Sequence, residues 1–193
     1  MASARPISRA AQAVPEAHQQ TEFSCGAASC FSVLSQHGRL GRDDEASLRR
    51  LLGTRSDVGT HPRDIVRLML SRSLPARAQQ HLSIRQLGKH LVRGHSLIIN
   101  LQFWPEPARG YDNGHWAVVR AVDDKTVTLM DPWYSPKPIV LSHAELLARW
   151  HDQFVPKDRG GRRYQFGRPR QRFHRMAIIV RPPRPRARTT RHR

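Results

Sequence analysis

The hydrophobic period changes once along this chain, near residue 94, and that change confines what the chain can fold into. Before it, apolar residues recur at helical spacing. Residues 25–37 carry Ala27, Cys30, Phe31 and Leu34 at i, i+3, i+4 and i+7, one buried helical face stopped by Gly38. Asp43 or Asp44 caps a second helix, with Leu48, Leu51 and Leu52 turned inward and Gly53 at its end. Pro62 opens a third with Ile65, Leu68 and Met69, and Ser83 starts a fourth through Ile84, Leu87 and Leu91 to Gly94. After it, residues 95–103, 115–123 and 126–131 are rich in Val, Leu and Ile and read as strands of a sheet buried on both faces. Asp123, Asp124 and Lys125 form the turn between the last two. A short strand at 139–141 leads into Ser142-x-x-Glu145, a capping box opening a helix with Leu146, Leu147 and Trp150, and a strand at 176–180 closes the body. Helices first and antiparallel strands afterwards predict an α+β domain, a helical half packed on a sheet.

At 193 residues and 38% hydrophobic, the chain suits one domain with terminal extensions. The reading places an N-terminal extension at 1–17, the domain at 18–180 and a tail at 181–193. The longest wholly apolar runs are four or five residues, which excludes a membrane-spanning helix of about 18 to 20. The first twenty residues form no apolar signal-peptide core, so the expected location is the cytoplasm. Of the net charge of +18, residues from Lys157 onward supply +13. The stretch 156–172 reads as a Gly/Arg-rich loop. The tail, with six Arg, three Pro and no acid, is expected to be disordered and to make weak, nonspecific contact with nucleic acid or an anionic surface.

Two cysteines five residues apart supply neither a disulfide framework nor a four-ligand zinc site. Cys30 shares the apolar stripe with Phe31 and Leu34 and reads as a small, inert hydrophobe. Cys25 opens the helix, where the positive end of the macrodipole favours a thiolate. Gly26 then leaves room where a substrate carbonyl would approach. A thiol nucleophile needs a base, and the base needs a third group to orient it. His115 begins one strand and Asp131 ends the next. Pairing about the Asp123–Asp124 turn brings Asp131 within about one residue of opposite His115, a distance side chains span.

The run Gln19-Gln20-Thr21-Glu22-Phe23-Ser24-Cys25-Gly26-Ala27-Ala28 resembles the nucleophile segment of bacteriocin-leader (double-glycine) peptidases and their stand-alone relatives, among the papain-like cysteine peptidases. The segments GHWAVVRAV at 114–122 and LMDPW at 129–133 resemble their histidine and aspartate blocks. The resemblance spans roughly residues 18–141 and implies a papain-like fold. It implies Cys25 as nucleophile, His115 as general base and then acid, Asp131 as orienter, and Gln19, rather than Gln20, as an oxyanion donor beside the Cys25 backbone N–H. No transporter domain accompanies these segments, so a free-standing hydrolase of peptide or protein substrates is implied. An acyltransferase would use the same acyl-enzyme, and an inactive module binding polyanions through its tail would not need the thiol. No metal or nucleotide motif is present, and no cofactor is expected. Trp104, Trp116, Trp133 and Trp150 fit core positions better than base-stacking platforms.

Overall fold

The computed structural model describes residues 10–103, 111, 113–154 and 171–183. In chain order the elements are β1 (Ala10–Ala11), α1 (Cys25–Gln36), α2 (Glu45–Leu51), α3 (Pro62–Ser71), β2 (Ala76–Gln79), α4 (Ile84–Val92), β3 (Ser96–Gln102), β4 (Gly114–Val122), β5 (Thr126–Met130), β6 (Ile139–Ser142), α5 (His143–Arg149), β7 (His151–Phe154), β8 (Gln171–His174) and β9 (Ala177–Val180). Three helices open on capping boxes, of which the sequence suggests the one at Ser142. Asp44, Ser83 and Ser142 each accept a bond from the backbone N–H three residues on, and the side chain at that third position returns to the cap. Asp44 is the cap of α2; Asp43 instead forms an ion pair with Arg72 beyond α3.

The main sheet is antiparallel, ordered β2-β9-β3-β4-β5-β6, with β1 also paired to β4. Alternation along its strands divides the core in two. Ile98, Trp116, Val118 and Ile178 meet Val33 and Leu34 of α1, Leu48 of α2, and Ile65 and Met69 of α3. Leu97, Ile99, Ala117, Val119 and Ile179 meet Leu87 and Leu91 of α4 and Leu146 of α5. The sheet is therefore buried on both faces, and α1 to α3 form one layer. Among the described residues no helix is long and apolar enough to cross a membrane.

Several expectations change. Leu51 is 53% exposed, because Leu48 and Leu52 lie four apart on the inner face and each residue turns about 100° from the last. Leu147 faces outward while Leu146 and Trp150 are buried. In the stretch assigned to an extension, Ala10, Val14 and Ala17 are buried and Ala10–Ala11 pair with β4. Single small apolar residues among polar ones carry no period from which this could be read. Strands β2, β7 and β8 are short, polar and half-exposed, and they too lack an apolar alternation; Gln171 and Arg172, read as loop, begin β8. The rest of the 156–172 loop up to residue 170, and residues 184–193 of the tail, lie outside the described residues.

Candidate active site

Ser24 is the residue before α1, but its hydroxyl bonds to the backbone N–H and carbonyl of Thr21, at 3.1 Å each, and does not cap the helix. The first turn is left without a side-chain cap at its positive end, where Cys25 sits. Cys25 lines a cleft of about 770 Å³ together with Gln19, Thr60, His115, Trp133 and Asp152. Gly26 has a different reason from the one its sequence suggests. A Cβ there would lie 2.5 Å from Thr60 Oγ1 and 2.6 Å from Thr60 Cβ, so packing by itself requires glycine. Thr60 is itself fixed, its carbonyl accepting from Trp116 Nε1–H at 3.1 Å and its hydroxyl lying 2.7 Å from that of Thr54.

His115 and Asp131 are both buried, with His115 Nε2 2.9 Å from Asp131 Oδ1. The same oxygen accepts from the Trp133 N–H at 2.9 Å, which holds the carboxylate in place. With Nε2 so engaged, Nδ1 is the ring nitrogen left to face Cys25. Burial opposes charge on the ring. The interactions with Cys25 and Asp131 outweigh it, and His115 is pushed up to about 10. Cys30 behaves oppositely: full burial, and secondarily the charge of Cys25, push its thiol well above the ordinary range.

The meeting of His115 and Asp131 depends on a bulge. Val122 pairs with Val127 and Ala121 with Thr128, but Val119 pairs with Leu129, leaving Arg120 as the extra residue. Carried one step past Val118–Met130, this register sets Asp131 opposite Ala117 and diagonal to His115, on the same face. Without Arg120 the continuing register would set Asp131 opposite Val118 and on the other face. The expected offset of one residue is thus two, and the bulge makes it productive. Arg120 pairs with Glu16 at 2.6 Å, so the segment before α1 braces the bulge.

Gln19 is buried and lines the cleft, whereas Gln20 is exposed. Its backbone N–H donates to Pro132 O at 2.9 Å, tying it to the loop after Asp131. Gln19 Nε2 donates to Thr21 O at 2.8 Å, and an amide nitrogen has a second hydrogen to offer. The structure thus brings Gln19, Cys25 and His115 to one cleft, with Asp131 hydrogen-bonded to the His115 ring. Phe103 packs edge-on to His115 at 4.8 Å and contacts the rings of Trp133 and Tyr134, shielding the imidazole. Trp116 and Trp150 are core, their ring N–H groups bonded to Thr60 O and Met176 O. Trp133 is partly exposed beside the cleft, and Trp104 lies outside the described residues.

Residues 13–155 match the peptidase C39 family. The chain belongs to that family. Three C39 structures share its papain-like fold. A double-glycine-motif protease from an AMS/PCAT transporter, solved with its leader peptide, has a TM-score of 0.60 at 18% identity, covering 93% of this chain and 99% of that one. The peptidase domain of Streptococcus ComA, a bifunctional ABC transporter of a quorum-sensing pathway, has 0.60 at 20%, covering 86% and 96%. A C39-like peptidase from Bacillus anthracis has 0.65 at 15%, covering 90% and 97%. No curated protein sequence matches the chain.

Sequence reasoning missed Asp152 on β7. It is buried in the cleft wall, with its oxygens 2.2 and 2.5 Å from where a Gly114 Cβ would stand. Burial pushes its carboxyl up to about 6, against bonds from the Gln153 N–H and the Asn100 and Gln102 side chains. Nothing local marks Asp152, because its neighbours Gln102 on β3 and Gly114 on β4 lie 50 and 38 residues earlier in the chain.

Proposed function

We propose that this C39 family member is a cysteine peptidase that hydrolyses a peptide bond through an acyl-enzyme on Cys25. The observation that carries the reading is the buried His115–Asp131 pair at 2.9 Å, with Cys25, at the start of α1, lining the same cleft as His115. In the attacking form the proton is on His115 and Cys25, at the positive end of α1, is the thiolate. Sγ attacks the carbonyl carbon, and the oxyanion is taken by the second Gln19 Nε2 hydrogen and the Cys25 backbone N–H. His115 gives its proton to the leaving amine, then removes one from the water that attacks the thioester, and Asp131 holds the ring throughout. A peptide substrate agrees with the leader peptide bound by the AMS/PCAT protease. A thiol nucleophile and two free cysteines suit a reducing compartment, and we assign the chain to the cytoplasm.

Brief exposure to iodoacetamide near neutral pH, followed by peptide mapping, should label Cys25 and spare Cys30. Cys25→Ala should abolish peptide turnover with the fold intact, while Cys30→Ala should retain it and lose about 1 kcal/mol of stability. Full turnover by Cys25→Ala would overturn the reading. Thioester formation followed by release only to an added amine would identify an acyltransferase.

A further inference from the structure

We propose that the cleft selects peptides carrying a Lys or Arg side chain beside the bond to be cut, and that Asp152 is the residue that recognises it. The proposal rests on the peptidase reading of the same cleft. In a chain of net charge +18, no described residue lining this cleft is Lys or Arg, whereas Glu22, Asp57 and Asp152 are acids. Asp57 is already paired with Arg55 at 3.0 Å, and Glu22 lies exposed at the rim. Asp152 is the buried one, and among the described residues no cation forms an ion pair with it.

Neutral groups hold it instead. Gln102 Nε2 donates to Oδ1 at 3.2 Å, and Asn100 and the Gln153 N–H supply the other bonds. The neutral donors and the charge of His115 offset only part of the cost of burying this carboxylate, whose pKa stays raised, and an incoming cation would offset more. On the paired strand, Phe173 is opposite Asp152; Arg172, opposite Gln153, places its guanidinium 5.1 Å from the Tyr111 ring centroid. The charged group facing Asp152 from β4 is His115, the next residue after Gly114, so a cation at Asp152 lies next to the reacting carbonyl. Two further acceptors at the cleft, Gln19 Oε1 and Asn100 Oδ1, are buried without a hydrogen-bond partner among the described residues, which adds demand for donors from a substrate. Phe103, Tyr111 and Phe154 supply aromatic wall against which a Lys or Arg stem packs.

The test uses the full chain and matched fluorogenic peptides in which Lys or norleucine is scanned through the positions on each side of the cut. Lys should exceed norleucine in kcat/KM by about tenfold or more at one position, chiefly through KM. Asp152→Asn should bring that ratio close to one, and in the unsubstituted chain the preference should fade as pH falls below about 6. A preference for norleucine everywhere, or a Lys preference that survives both Asp152→Asn and low pH, would overturn the proposal. If no peptide is cut, the peptidase reading fails separately. Calorimetric binding of the same peptides to Cys25→Ala then decides this one: tighter binding of Lys, lost on adding Asp152→Asn, supports it, and equal binding overturns it.

Discussion

At the scale of single residues, the contrast between Cys25 and Cys30 separates chemistry from packing. The two lie on one helix, five residues apart, yet one lines the cleft beside an imidazole while the other is sealed in the core. The charge on His115 gives the site a pH signature. Because its folded value is raised to about 10 from 6.5, the imidazolium is present at neutral pH and is lost as pH rises through the folded value. The alkaline limb of kcat/KM should therefore fall well above pH 8. Asp131→Asn, which removes one of the interactions raising His115, should move that limb to lower pH and slow turnover by up to roughly 10⁴-fold, leaving a measurable rate. An alkaline limb near 6.5 in the unsubstituted chain would show that the imidazolium is not the working form.

Between elements, the site is built by two close fits. One is the approach of α1 to Thr60, which leaves no room for a methyl group at residue 26. Gly26→Ala must displace either the start of α1 or the Thr60 backbone, and both border the cleft. A loss of about 1–3 kcal/mol in thermal or denaturant unfolding, with a fall in peptide turnover, is the expected result; unchanged stability would show that the contact yields freely. The other is the Arg120 bulge, which moves Asp131 onto the face of His115 and is braced by Glu16. Register in an antiparallel pair is a binary choice of face, so one inserted residue decides whether the two side chains can meet.

For the whole molecule, the distribution of charge separates the cleft from the rest of the surface. Arg77, Arg93 and Arg181 surround the contacting pair His90 and His95 and, with burial, hold both rings below their usual value. The chain beyond Arg181 adds five more Arg and no acid. Binding of a single-stranded oligonucleotide should accordingly be weak and fall steeply with salt, and ending the chain after Pro183 should flatten that slope without changing peptide turnover. Identical slopes for the two chains would make the tail passive. The order of hydrophobic periods was enough to place all five helices and the main strands β3, β4, β5, β6 and β9, because period is a property of neighbouring residues. The element ends it delimits also pointed to Cys25, His115 and Asp131, and the family resemblance added Gln19; Gln19, Cys25 and His115 line one cleft, and Asp131 is hydrogen-bonded to His115. The short polar strands, the cause of Gly26, the register at Arg120 and the presence of Asp152 were decided only by the tertiary structure. Each depends on which distant segment packs against a residue, a contact that leaves no periodic trace along the chain.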